Sequence, residues 1–198
     1  MLPTRKEAVE LLREGVECNP GAWGKHCLTA AHCAERIADA CADMDSEKAY
    51  ILGLLHDIGR KFGVRHLGHV SDGYTYMKSL GYDEAARICL THSFNNHTVD
   101  EYIGKFDVSD EELTLIKTEL DKIVYDDYDR LIQICDCLAG VNGVLDIEDR
   151  MADVKKRYGW YPQNKWDSNI RLFHYFEEKM NKNIYCVCEK DSFIPGEI

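Results

Sequence analysis

Six side chains carry the chemistry this sequence can offer: His26, the adjacent pair His56-Asp57, His69, His92 and Asp136. Four imidazoles and two carboxylates suit one or two hard-to-borderline divalent cations. The pair His56-Asp57 closes the apolar run YILGLLHDIGR, residues 50–60. A carboxylate buried there costs several kcal/mol unless a metal or a full set of hydrogen bonds compensates it. An aspartate at a helix C-terminus also opposes the helix dipole.

Helical phase separates candidates from bystanders. From His26, the small or apolar residues Ala30, Ala34, Ile37 and Ala38 share one stripe, so His26 faces the core. His32 lies off that stripe and reads as a solvated histidine. His69 opens a stripe with Gly73, Tyr76, Met77 and Leu80, and His92 closes one with Ala85, Ile88 and Cys89. Each alone also fits an ordinary core or cap position. Together, at opposite ends of two consecutive helices, they can meet at one point. Asp136 sits in the apolar stretch LIQICDCLAG, with Ala139 and Gly140 leaving room for a cation; the plainer alternative pairs it with Arg130 or Arg150. Gly53 and Gly59 permit close approach of backbone or ligand. Arg60, Lys61, Arg65 and His66 form the basic cluster, directly after the His-Asp pair, and read as a clamp for substrate phosphate, with a solvated basic loop as the alternative. His97 and His174 read as surface or structural residues. Tyr74, Tyr76, Tyr125 and Tyr128 could stack on a base, although aromatics on helix stripes are more often core.

Helices must position these groups. Periodicity is helical almost throughout. Thr4 and Glu7 form a capping box for a first helix through about Gly15, and Asn19-Pro20-Gly21 makes a turn. Helices follow over about 23–43, 46–58, 69–80, 83–92, 109–123, 128–141, 146–158 and 167–181, with a basic loop over 60–68 and a polar, irregular stretch over 93–107. NIYCVC, residues 183–188, reads as one short strand or an irregular tail. The expectation is one all-α domain, a helical bundle over 1–198 with its core at about 20–140 and a helical extension from about 145.

Composition narrows the class. The chain has 198 residues, 45% of them apolar, enough for a buried core. Its 35 acids against 24 bases give a formal charge of −11 and supply no obvious basic face for duplex nucleic acid. A small anionic substrate stays compatible, because a bound cation dominates at contact distance. No apolar run reaches membrane-spanning length. The N-terminal stretch is amphipathic, lacks a secretory h-region and reads as mature sequence. Nine cysteines, an odd number mixed with Ala and Leu, read as buried reduced thiols of a cytoplasmic protein rather than a disulfide framework. Cys135-x-Cys137 and Cys186-x-Cys188 are too tightly spaced for the usual zinc knuckle.

The order His, His-Asp, Asp, carried by HCLTAAHCAERIA, GLLHDIGR and LIQICDCLAG, resembles the HD-domain superfamily of metal-dependent phosphohydrolases. The likeness spans about 20–140. His69 and His92 resemble the additional ligands of its two-metal subset. That resemblance implies an all-α bundle with a central metal site. By it, His26, His56, Asp57 and Asp136 would hold one metal and His69 and His92 a second, with Asp57 bridging. Iron, manganese, cobalt, nickel, zinc and magnesium all remain open. Arg60 stands where the HDIG motif is commonly followed by Lys, and binds phosphate as a fork rather than a point charge. The GYP signature of the subgroup that cleaves cyclic di-GMP is missing. The tail from about 145 adds nothing to the resemblance.

The expected activity is phosphohydrolysis of a nucleotide or another small phosphate ester by a metal-activated water, with Asp57 and Arg60 catalytic and Arg60, Lys61, Arg65 and His66 holding substrate. Two alternatives stay open. Some six-ligand members resemble di-iron oxygenases that cleave C–C or C–P bonds, and ligand type alone does not separate the two chemistries. A non-catalytic metal-binding module is the other. Oligomeric state is not legible.

Overall fold

The computed structural model describes residues 1–197. The helices are α1 Arg5–Cys18, α2 Trp23–Ala40, α3 Ser46–Leu55, α4 Gly68–Ser79, α5 Asp83–Thr91, α6 Asp110–Leu120, α7 Asp127–Leu138, α8 Ile147–Tyr158, α9 Gln163–Met180 and α10 Ile184–Val187. The only strands among the described residues are the two-residue pair β1 Ala139–Gly140 and β2 Gly143–Val144, antiparallel. The architecture is all-α, as the periodicity predicts.

Local chemistry sets the boundaries. Thr4 and Glu7 cap α1 reciprocally, and Ser109 and Glu112 do the same for α6. Asp45, rather than Ser46, caps α3 by accepting from the Lys48 amide. The chain after α3 is not a plain loop: Ile58–Phe62 forms a 3₁₀ turn that includes Arg60 and Lys61. NIYCVC is neither strand nor irregular; Asn183 caps the short helix α10.

α2 is the central helix, packed most extensively on α3 and also on α7. Its apolar stripe of Ala30, Ala34, Ile37 and Ala38 is fully buried, with Leu52, Leu54, Leu55, Leu131 and Ile134 around it. Two glycines set how closely the layers approach. A Cβ at Gly53 would meet Ala31 Cα of α2 at 2.9 Å, and one at Gly59 would meet the His69 carbonyl oxygen of α4 at 2.0 Å. Gly59 thus lets the 3₁₀ turn press against the backbone that carries His69. A satellite core of Leu67, Val70, Leu90, Phe94, Val99, Tyr102, Ile116 and Leu120 lies beneath α6. Residues 93–107 contribute Phe94, Val99 and Tyr102 to it, which a reading of that stretch as polar loop misses.

All nine cysteines are free thiols; Cys18 and Cys186 are exposed, and most of the others are buried. His32 is half-buried, stacked on Phe193 with 3.7 Å between ring centres and 3.1 Å from the Cys188 carbonyl oxygen. The C-terminal residues that cover it lie far away in sequence, so its own helix gave no sign of them. No helix among the described residues is long and apolar enough to cross a membrane.

Candidate metal centre

α2 supplies His26, the end of α3 supplies His56 and Asp57, the start of α4 supplies His69, the end of α5 supplies His92, and α7 supplies Asp136. All six converge. The His26 and His56 Nε2 atoms lie 3.2 Å apart, and Asp136 Oδ1 is 3.0 Å from the first and 3.7 Å from the second. The His69 and His92 Nε2 atoms are likewise 3.2 Å apart, and Asp57 Oδ1 is 3.1 and 3.6 Å from them. Asp57 Oδ2 is 4.0 Å from His56 Nε2. Asp57 therefore joins two groups of potential ligands, His26-His56-Asp57 and Asp57-His69-His92, both buried.

The far side of each ring is already committed. Nδ1–H donates to the carbonyl of Ala139 from His26 (3.0 Å), of Gly53 from His56 (2.7 Å), of Ile88 from His92 (3.1 Å) and of His66 from His69. This fixes each neutral imidazole with its Nε2 lone pair pointing inward. Lone pairs facing each other at 3.2 Å repel unless a proton or cation lies between them. Asp57 Oδ1 is buried and has no hydrogen-bond partner. An orphaned carboxylate oxygen within 3.6 Å of two inward-facing imidazole nitrogens, with two more in the adjoining group, fits a divalent cation, and the His/Asp donor set suits a borderline metal ion.

Burial and neighbouring charge oppose each other across the centre. Burial would raise the Asp57 pKa, but Arg60, His69 and His56 hold it well below the usual carboxylate range. His26 and His56 do the same for Asp136 against burial. Burial, then the His56 ring, press the His92 imidazole down to about 3. Burial lowers His56 too, but Asp136 and Asp57 outweigh it and raise the net value. Asp136 pairs with neither Arg130, which binds Asp127 at 3.1 Å, nor Arg150. It is less buried than its apolar neighbours suggest, because its side chain is 34% exposed where it borders the cleft.

The centre forms the floor of a cleft of about 640 Å³. Arg60 lines that cleft; its Nε donates to Asp57 Oδ2, and its two terminal nitrogens make no hydrogen bond among the described residues. His66 also borders it, edge-on to Tyr158. Lys61 does not. Its ammonium donates to the Tyr76 hydroxyl at 3.0 Å and lies 3.8 Å from Glu14, turned away from the cleft that Arg60 lines. Arg65 reaches the rim, but its guanidinium is spent on Asp72 (2.8 Å), Glu112 (2.9 Å) and the Asp107 carbonyl (3.0 Å). These bonds tie the segment after the 3₁₀ turn to α4 and α6. Tyr74, Tyr76, Tyr125 and Tyr128 all lie outside the cleft lining; Trp23, Tyr102, Tyr158 and Tyr161 are its aromatics.

The wall opposite the basic turn comes from the C-terminal extension, where sequence reading placed no functional residue. Arg150, Met151, Val154 and Tyr158 of α8 face the cleft, as do Tyr161, Lys165 and Asn169 at and within α9. The signal existed: 150, 154, 158 and 161, 165, 169 are two runs at four-residue spacing, each one face of a helix.

No curated protein and no solved structure matches the chain significantly. The family model of the HD domain matches residues 23–140, more than half of the chain and the span that contains all six converging side chains. The chain therefore belongs to the HD-domain family.

Proposed function

We propose that this protein is a metal-dependent phosphohydrolase acting on a nucleotide or another small phosphate ester. The observation that carries the reading is the pair of buried ligand groups, His26-His56 and His69-His92, that share Asp57, whose Oδ1 has no hydrogen-bond partner. His26, His56, Asp57 and Asp136 would hold one divalent ion, and His69 and His92 with Asp57 a second. Such ions supply Lewis acidity, bringing the pKa of water toward neutrality and offsetting charge on the phosphoryl oxygens.

The chain's own groups do the rest. Carbonyl acceptors at Gly53, His66, Ile88 and Ala139 hold the rings in register, so little reorganisation accompanies binding. Arg60 uses Nε to orient Asp57 and keeps two terminal nitrogens for a phosphoryl oxygen, a forked contact that a lysine would not reproduce. His66 and Tyr102 also line the cleft. Tyr158, Tyr161 and Trp23 give the organic part of a substrate flat apolar surface, and 640 Å³ accommodates a nucleotide-sized molecule.

The test is metal analysis of the purified protein together with a screen of nucleotides and phosphate esters under Mn²⁺, Fe²⁺, Co²⁺ and Mg²⁺. The expected result is one or two ions per chain and release of phosphate or a nucleoside monophosphate under argon. Turnover that requires O₂ would replace hydrolysis with oxygenase chemistry. A metal-replete protein that turns over nothing in the screen would leave a binding module.

A further inference from the structure

Two cations lining the cleft have no carboxylate within ion-pair distance among the described residues. The Lys165 ammonium donates to the Ser93 carbonyl at 2.6 Å, one residue beyond His92, and forms no ion pair among the described residues. The Arg150 guanidinium has neither a hydrogen bond nor an ion pair there. Both line the cleft and flank Cys137, the residue after Asp136, whose thiol feels both charges. A third polar group is unsatisfied close by. Gln133 is 3% exposed, gives its amide N–H to the Thr91 carbonyl at 3.0 Å and leaves Oε1 without a partner. Gln133 and Lys165 thus both hang on the 91–93 segment that carries His92.

Sequestering an ammonium without a carboxylate is costly, and a group so placed is stabilised by an anion that arrives with a ligand. Asp136 and Glu101 act on the Lys165 ammonium through space but lie beyond ion-pair distance, and a metal ion held at the floor would claim Asp136. Lys165 uses one of its three donors on Ser93, and Arg150 keeps its whole fork.

We infer that Lys165 and Arg150 form a second anion subsite beside the metal floor, taking a phosphate group adjacent to the one that reacts, so that the preferred substrates carry at least two linked phosphates. The inference rests on the reading of the His–Asp floor as the place where the reacting phosphoryl group sits. It assigns a binding role to the C-terminal extension, which lies outside the matched HD-domain span.

The test uses the full-length, Mn²⁺-loaded protein and two non-reacting probes, inorganic phosphate and methylenediphosphonate, titrated calorimetrically at fixed free Mn²⁺. Wild type should bind the diphosphonate at least tenfold more tightly than phosphate. Lys165→Gln and Arg150→Gln should each weaken diphosphonate binding about tenfold while leaving phosphate within threefold, and Lys165→Arg should restore most of the loss. Arg150 is half-buried with no side-chain partner, so its variant reports even if Lys165→Gln folds poorly. Equal affinity for the two probes in wild type, or equal loss of both in the variants, overturns the subsite. Absence of any turnover alongside retained diphosphonate selectivity would sink the hydrolase reading and leave the subsite standing.

Discussion

Arg65 and Lys165 border the same cleft from distant parts of the chain, in opposite electrostatic surroundings. Arg65 follows the His-Asp pair by eight residues and is saturated by Asp72, Glu112 and a carbonyl. Lys165 lies more than a hundred residues from that pair and meets no carboxylate within ion-pair distance. Neighbourhood in sequence therefore does not measure availability to a ligand. A basic cluster next to a metal motif can be consumed by the acids that fold it into place, whereas cations on a remote helix face can arrive unneutralised. Arg60 stands between these extremes, with one nitrogen on Asp57 and two uncommitted.

The sharpest way to break the comparison is to remove the floor that both walls serve. Asp57→Ala takes away the one carboxylate shared by both ligand groups. It should cost both metal ions and lower turnover by at least about 10³-fold, the scale of losing the main electrostatic stabiliser of a transition state. Elemental analysis beside kinetics checks this. Full metal occupancy in the variant would mean that Asp57 bridges nothing.

Substituting the turn residues tests the comparison directly. Arg60→Ala should raise KM or lower kcat by about 10²-fold while metal content holds, because it removes a forked phosphate contact. Lys61→Ala, facing Tyr76 and Glu14, should leave both constants within twofold. If the two variants behave alike, the division of this turn into a cleft side and a back side is wrong.

Arg65→Ala should act on stability and not on chemistry. It strands the partly buried Asp72 and Glu112, a loss of about 2–3 kcal/mol for breaking a network of this kind. Denaturant unfolding should show that loss with kcat/KM nearly unchanged at temperatures where the variant stays folded. A kinetic defect without a stability defect would return Arg65 to the substrate site.

These contrasts also mark what could be read from the sequence. His26 was separable from His32 by helical phase alone, because one face of α2 is uniformly small and apolar. His69 and His92 were ambiguous singly, and only their placement at opposite ends of a helical hairpin suggested a meeting point. The 3₁₀ turn at Ile58–Phe62 was not legible: its tightness depends on Gly59 touching the α4 backbone, a contact ten residues away in sequence. That turn sends Arg60 and Lys61 to opposite sides, which a loop reading cannot do. The acids that consume Arg65 lie 7 and 47 residues further on, and the cations of the opposite wall follow from how α8 and α9 dock. Docking is a tertiary event with no local signature beyond a four-residue spacing.

The docking itself has a handle far from the cleft. Lys179 of α9 bridges Asp127 at the start of α7 (2.9 Å) and Asp43 after α2 (2.8 Å), and the Tyr175 hydroxyl donates to Asp127 at 2.9 Å. Burial would raise the Asp127 pKa, but Lys179, Tyr175 and Arg130 lower it below its ordinary value. An acid depressed in the folded state contributes stability above its unfolded pKa, about 3.9, and loses it as pH falls through the folded value. Asp127→Asn should therefore cost about 1 kcal/mol at pH 7, and the gap to wild type should close as pH falls from about 4 through the depressed folded value. Thermal unfolding of both proteins across that range, with methylenediphosphonate affinity measured at pH 7, relates the clamp to the wall it positions. If Asp127→Asn weakens diphosphonate binding as well as stability, α9 is held in register for Lys165 by this remote ion pair; if stability alone falls, contacts nearer the cleft fix the lysine by themselves.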